Sequence, residues 1–344
     1  MSLPILPPLP HTDPTALYRY RDSLYATDLL TAAIVELDVF THLDARPSDL
    51  EVLCRSLSIH PRPTDVMLTL LVAMVLLERH DGTYRPTDVA REHLVSSSPW
   101  FLGPYYASFR DRPVCKDFVT VLRTGRPANW ASAPSRQDWV RSMEEPAFAR
   151  QFTSAMDCRG LYLGRALARA VDVGGRHRLL DIAGGSGIYA CCVAEANPAL
   201  RATVLERPPV DTLARRAIVK RGFGEHVSVH AGDMLAEPFP TGFDVHLFSN
   251  VLHDWDVPTV SKLLAASASA LPSGGLIVIH DAHLNEEKTG PLSVACYSTL
   301  LMHATEGRCY SISELRPLLH DAGFTGVSFV DTTADRSAIT ATRS

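Results

Sequence analysis

Apolar positions in the first hundred residues recur at helical spacing, whereas those beyond residue 170 gather into short solid runs. The spacing predicts helix over about 16–40, and further helices near 49–57 and 64–77. Residues 77–94, centred on Glu78-Arg79-His80-Asp81-Gly82-Thr83-Tyr84-Arg85-Pro86, read as a short hairpin wing. Residues 95–170 read as a helical connector rich in large side chains, among them Trp100, Phe101, Tyr105, Tyr106, Phe109, Trp130, Trp139, Met143 and Phe148. From about 171 onward, apolar runs at 178–183, 201–206, 226–230, 243–249 and 275–280 alternate with helical stretches, the pattern of a mostly parallel sheet. Two further runs, 327–330 and 337–340, are expected to complete it as an antiparallel edge. The expected division is therefore a winged-helix-like domain over 1–99, a connector over 100–170 and an α/β, Rossmann-like domain over 171–344.

Chemistry collects where these strands end. The run Leu179-Leu180-Asp181-Ile182-Ala183-Gly184-Gly185-Ser186-Gly187 is a buried strand entering a turn suited to glycine, followed by helical periodicity from Ile188. A ligand would sit at the strand's C-terminal end, against the backbone of Gly184, Gly185 and Gly187. Glu206 closes the next apolar run, where a carboxylate can accept hydrogen bonds from ribose hydroxyls. A nicotinamide dehydrogenase would want G-x-G-x-x-G, and the order A-G-G-S-G-I-Y has its glycines in another register.

These motifs, with those further along, resemble the S-adenosylmethionine-dependent O-methyltransferases of small molecules, both the plant caffeate and flavonoid type and the bacterial antibiotic-pathway type. That family's glycine motif usually reads D-V-G-G-G-x-G, so Asp181 and the three glycines match while Ala183 adds a methyl group. The resemblance implies that Asp181, Gly184, Gly185, Gly187, Glu206, Asp233, Met234 and Ser249 surround the cofactor, S-adenosylmethionine, which leaves as S-adenosylhomocysteine. It implies that His253, in His253-Asp254-Trp255, is the general base, oriented by Asp281 at the end of the strand 28 positions later. It also implies an acceptor pocket lined from the connector by Phe152 and Met156, and later by Tyr297, Met302, His303 and Cys309. Two positions depart from the pattern. Ser249 stands where many members have lysine, and Cys309 stands where many have a second glutamate beside the histidine.

Charge and composition narrow the rest. Helix, helix, helix, wing is also the layout of a DNA-binding domain, but residues 1–99 hold eight Lys and Arg against thirteen Asp and Glu. The whole net charge of −5 lies there, and such a region would repel phosphates. The resemblance makes it a dimerisation module instead, and the chain a homodimer. No run of 18 apolar residues occurs, and the opening Met1-Ser2-Leu3-Pro4 lacks a basic leader, so neither membrane nor nucleic acid is an expected partner and the cytoplasm is the expected compartment. The seven cysteines include no C-x-x-C pair and no zinc spacing, and read mostly as buried free thiols, with no metal expected.

The proton suggests the acceptor. A phenol near pKa 10 and a histidine near 6.5 differ by about 3.5 units, roughly 5 kcal/mol. A negative Asp281 in reach would stabilise the imidazolium and narrow that gap, whereas an aliphatic alcohol would leave a far larger one. The expected reaction is methyl transfer to a phenolic or enolic hydroxyl of a small specialised metabolite. The alternatives are an N- or S-methyltransferase, a non-methylating adenosylmethionine-dependent relative on the same fold, and a non-enzymatic winged-helix regulator.

Overall fold

The computed structural model describes residues 6–128 and 143–344; Trp130 and Trp139 fall outside them. The chain forms two compact units. A helical unit comprises Leu17–Arg136 and Leu284–Ser311, and a sheet unit comprises Met1–Ala16, Gln137–His283 and Ile312–Ser344.

In the helical unit the predicted helix over 16–40 is broken. Helix Ala26–Thr31 runs into one π-type turn, Ala32–Glu36, and helix Val39–Ala45 starts only after Asp38, whose φ is +46°. Asp38 Oδ1 accepts from Thr41 Oγ1 at 2.6 Å, which favours a restart over continuation. Helix Leu50–Leu57 is capped by Asp49, whose carboxylate accepts from Val52 N at 2.7 Å. The third predicted helix begins earlier and ends sooner, as Pro61–Ala73, with proline in its first turn where the missing N–H costs nothing. The wing is present: β1 (Leu77–His80) and β2 (Thr83–Pro86) pair antiparallel across an Asp81-Gly82 turn with φ of +48° and +79°.

Residues 284–311 fold with the helical unit, and the segment 100–170 is divided between the two units. The physical reason is a long-range cap. Arg62 donates through Nη1 to the carbonyls of Met302, Thr305 and Gly307 at 3.1–3.4 Å, and through Nη2 to that of Gly125 at 3.0 Å. It thereby ties down the C-terminal end of helix Leu292–Ala304 and the residues just past it, and that helix packs on Pro61–Ala73. Asp65 adds ion pairs to Lys288 at 2.5 Å and Arg308 at 3.3 Å.

The sheet unit is built on seven strands. They are β3 (Arg178–Ile182), β4 (Arg201–Glu206), β5 (Val227–Ala231), β6 (Val245–Ser249), β7 (Leu276–Asp281), β8 (Phe324–Asp331) and β9 (Ser337–Arg343). Their order is β5-β4-β3-β6-β7-β9-β8. The first five are parallel and β9 joins β7 antiparallel, so the expected C-terminal pair is there with β9 on the inside. Every residue of β7 is buried, as are Leu179 to Ile182 of β3, which explains the solid apolar runs in place of alternation. Chain order moves outward from β3 to β5 and then returns to β6 beside β3, which opens a crevice at the C-terminal ends of β3 and β6. Among the described residues no helix is long and apolar enough to cross a membrane.

Candidate active site

The crevice is lined by the ends of parallel strands. Asp181, at the end of β3, is fully buried, and neither carboxylate oxygen has a hydrogen-bond partner. Burial pushes it up to about pH 7, against a weaker pull from the Ala190 N–H in the first turn of helix Ile188–Ala196. A Cβ on Gly184 would stand 2.5 Å from this carboxyl carbon, whereas one on Gly185 would meet nothing within 4 Å. The turn therefore hugs Asp181 on one side and is open on the other. Gly187 has a φ of +76°, and a Cβ there would come within 2.9 Å of Ile218, so only glycine fits.

Ala183 is the exception within the turn. It adopts φ of +52°, the left-handed region that an L side chain enters at a cost. Ala183→Gly is expected to raise stability by about 0.5–1 kcal/mol, the strain relieved less the added freedom of the unfolded chain. A lower urea midpoint for the variant would contradict this account.

Glu206 ends β4 half-buried, its Oε2 accepting from Gly185 N at 3.0 Å and its Oε1 from Arg207 N at 2.9 Å. Burial raises its pKa to about 7, with those two N–H groups pulling the other way. Each oxygen keeps a second lone pair for a ligand hydroxyl. Past β5, Gly232 N is bonded to Glu206 O at 3.1 Å, which brings Asp233 and Met234 to the same rim. The Asp233 carboxylate accepts from Leu235 N at 2.9 Å, an ordinary turn bond that leaves its other oxygen for other uses.

At the end of β6, Ser249 Oγ is buried without a hydrogen-bond partner. Asn250, which sequence reasoning passed over, has φ of +54° and donates through Nδ2 to Tyr189 Oη at 3.0 Å, while its Oδ1 is buried without a partner. A polar residue one place beyond a buried strand was the available signal. Orphaned polar atoms on Asp181, Ser249 and Asn250 thus gather at two neighbouring strand ends. Both hydrogen-bond acceptors and a donor are present, which fits the ammonium and carboxylate of an amino-acid moiety, while Glu206 fits a ribose.

His253 lies on the short turn Leu252–Asp254 that follows β6, and its Nδ1 is 2.5 Å from Asp281 Oδ1. Both residues are 4% exposed. Asp281 Oδ1 also accepts from Ala282 N at 2.7 Å. Burial alone would raise the Asp281 pKa, but the charge and hydrogen bond of His253 outweigh it, together with His283 and Arg336, and bring it down to about 2. Asp281 is thus an anion that accepts a hydrogen bond from Nδ1–H, which places the imidazole's basic lone pair on Nε2. Asp254 Oδ1 stands 3.6 Å from that nitrogen, too far for a hydrogen bond. His283, two residues past Asp281, is buried and tied through Nδ1 to Ser337 Oγ at 2.8 Å.

The expected acceptor residues divide between the units. Phe152 and Met156 stand on helix Pro146–Ala170 of the sheet unit, Phe152 packing on Phe148 at 6.4 Å and the Met156 sulfur accepting from Arg159 at 3.4 Å. Tyr297, Met302, His303 and Cys309 belong to the helical unit and are all buried within it. His303 holds Asp117 at 3.1 Å and packs against the rings of Tyr25 and Phe118. Cys309, fully buried, donates its backbone N–H to Ser298 Oγ at 3.1 Å. Among the described residues no cluster of three or more His, Cys, Asp or Glu is arranged to hold a metal.

A crevice fitted for an amino-acid nucleoside beside a buried His–Asp pair defines a class, and comparison with known proteins agrees. A family model for an O-methyltransferase domain matches residues 116–325, and one for an O-methyltransferase dimerisation domain matches residues 18–96. The 3-hydroxy-5-methyl-1-naphthoate 3-O-methyltransferase of Streptomyces sahachiroi is 34% identical over 92% of this chain and 91% of its own length. The N,N-dimethyltransferase OxyT of Streptomyces rimosus is 33% identical, covering 84% of this chain and 85% of its own. A crystal structure of an O-methyltransferase family 2 protein from Planctomyces limnophilus DSM 3776, in complex with apigenin, superposes with a TM-score of 0.89 at 34% identity, covering 100% of both chains. The chain belongs to the S-adenosylmethionine-dependent O-methyltransferases.

Proposed function

We propose that this enzyme methylates a phenolic or enolic hydroxyl of a small aromatic metabolite, with His253 as the general base and Asp281 as its orienting anion. The observation that carries this reading is the buried 2.5 Å contact between His253 Nδ1 and Asp281 Oδ1 at the crevice. S-Adenosylmethionine, when bound, supplies an already activated methyl group. What is left to the protein is alignment, for which intramolecular analogues give roughly 7–11 kcal/mol, and removal of the acceptor's proton. In this reading Asp181 faces the ammonium of the donor, Glu206 its ribose, and Asp233 with Met234 its adenine. Nε2 of His253 then receives the hydroxyl proton, and Asp281 stabilises the imidazolium. Phe152, Met156, Tyr297, Met302, His303 and Cys309 are the residues we assign to the acceptor side. The naphthoate acceptor in the name of the Streptomyces sahachiroi relative and the apigenin bound to the Planctomyces limnophilus protein support the substrate class.

The likeness to an N,N-dimethyltransferase supports a second reading, in which the acceptor is an amine. The two separate when the purified enzyme is given deuteromethyl-labelled donor with a panel of phenols, naphthols, flavones and amines. Label on hydroxyl oxygen supports the first reading; label only on nitrogen overturns it. We also propose a homodimer formed through the helical unit, which carries exposed Leu17, Tyr20, Trp100 and Tyr105 at 65–77% exposure. Sedimentation at micromolar concentration should give twice the chain mass of 37.7 kDa.

A further inference from the structure

Three side chains from three elements of the sheet unit meet at the glycine turn. Asp157 stands on helix Pro146–Ala170, Ser186 is the residue between Gly185 and Gly187, and Arg221 directly follows helix Val210–Lys220. A single oxygen, Asp157 Oδ1, accepts from both Ser186 Oγ and Arg221 Nη2. Ser186 is 5% exposed, and the side chains of Asp157 and Arg221 are 28% and 19% exposed, so the contact is largely shielded from water.

The helix bearing Asp157 is seated firmly. A Cβ on Gly160 would fall 2.4 Å from Ile188 Cγ2, so the helix lies directly on the first turn of Ile188–Ala196. One turn further on, Arg165 reaches Glu195 of the same helix at 3.0 Å. Residues 157, 160, 164 and 165 thus share the face that rests on the glycine turn and its helix.

The Ser186 hydroxyl is not needed to close the turn, which is closed by the bond from Gly187 N to Gly184 O at 2.9 Å. The turn itself has little intrinsic preference for one shape, because Ala183, Gly185 and Gly187 all take positive φ and fixing each such residue costs about 1–2 kcal/mol of entropy. A tertiary hydrogen bond at its centre supplies what the local sequence lacks. Asp157 is not part of the donor-binding set assigned above, and Ser186 donates its hydroxyl to Asp157.

We propose that Asp157 is a positioning residue for the cofactor turn: through Ser186 it holds the backbone of residues 183–187 in the shape that accepts the donor, while Arg221 fixes Asp157 from the other side. This rests on the reading that the turn binds S-adenosylmethionine. The helix that carries Phe152 and Met156 toward the acceptor therefore also sets the affinity for the cofactor.

Titration calorimetry with S-adenosylhomocysteine on the full chain tests this for wild type, Asp157→Ala, Asp157→Asn and Ser186→Ala, well below the Tm of the weakest variant. Asp157→Ala should weaken binding about tenfold or more, and Ser186→Ala by a similar factor with a smaller drop in Tm, because the pair of Asp157 and Arg221 survives. Asp157→Asn keeps an acceptor for both donors and should stay within about threefold of wild type. In turnover, KM for the donor should rise while kcat at saturating donor holds. If Asp157→Ala does not fold, Ser186→Ala decides alone. Wild-type affinity in Ser186→Ala, or in a folded Asp157→Ala of lowered Tm, would show that the contact only braces the helices and would overturn the proposal. Absence of binding by wild type would overturn the cofactor reading beneath it.

Discussion

Alanine at position 253 is expected to slow methyl transfer by about 10²–10⁴-fold, the usual range for loss of a general base, while S-adenosylhomocysteine binds within about threefold of wild type. The split follows from placement. His253 sits on the turn after β6, whereas the orphaned polar atoms that fit the donor's amino-acid moiety are on Asp181, Ser249 and Asn250. The basic nitrogen Nε2 is the one that Asp281 does not engage, and in the proposed reading it serves the acceptor's proton and not the donor. A His253→Ala enzyme that turns over at the wild-type rate would remove the histidine from the mechanism. One that loses donor affinity as steeply as rate would make it a binding residue.

Asp281→Asn probes the other half of the pair and should behave differently from a simple deletion. Ala282 N donates to Oδ1 at 2.7 Å, and an amide oxygen in the same place can still accept from both Ala282 and His253. Ring orientation and tautomer are then preserved, and what disappears is the negative charge beside the imidazolium. A hydrogen bond to a charged group is stronger than one to a neutral group and contributes about 1.5–3 kcal/mol, so kcat should fall by roughly 10- to 100-fold. Removing a negative neighbour lowers a histidine's pKa, so the acid limb of the kcat profile should move to lower pH as the plateau drops. Unchanged limb position with a reduced plateau would mean that Asp281 orients the ring without stabilising its charge.

Most of the sheet was legible because parallel strands buried on both faces have solid apolar runs, and the observed strands begin and end within two residues of those runs. The strand-end carboxylates followed from that reading. Other features were set by contacts that leave no local trace. Residues 284–311 leave the domain that surrounds them in sequence because Arg62, 240 residues before Met302, caps their helix. The break at Asp38 is a left-handed residue set against an unbroken apolar period, with its side chain bonded to that of Thr41. Asp157 is one polar position on a long helix, and only the fold brings it to Ser186, 29 residues away.

His253 and Asp281 are held by unequal scaffolds. Asp281 ends a strand with β6 on one side and β9 on the other, and β9 is itself covered by β8, so β7 has no free edge. Amides of such an interior strand should exchange with solvent only through the largest openings of the sheet unit. His253, on a turn of three residues, has no such ladder. Any fluctuation that lengthens the contact between them is therefore a displacement of the histidine against a stationary carboxylate. Relaxation measurements should find the microsecond-to-millisecond motion around residues 252–254 and little of it along β7.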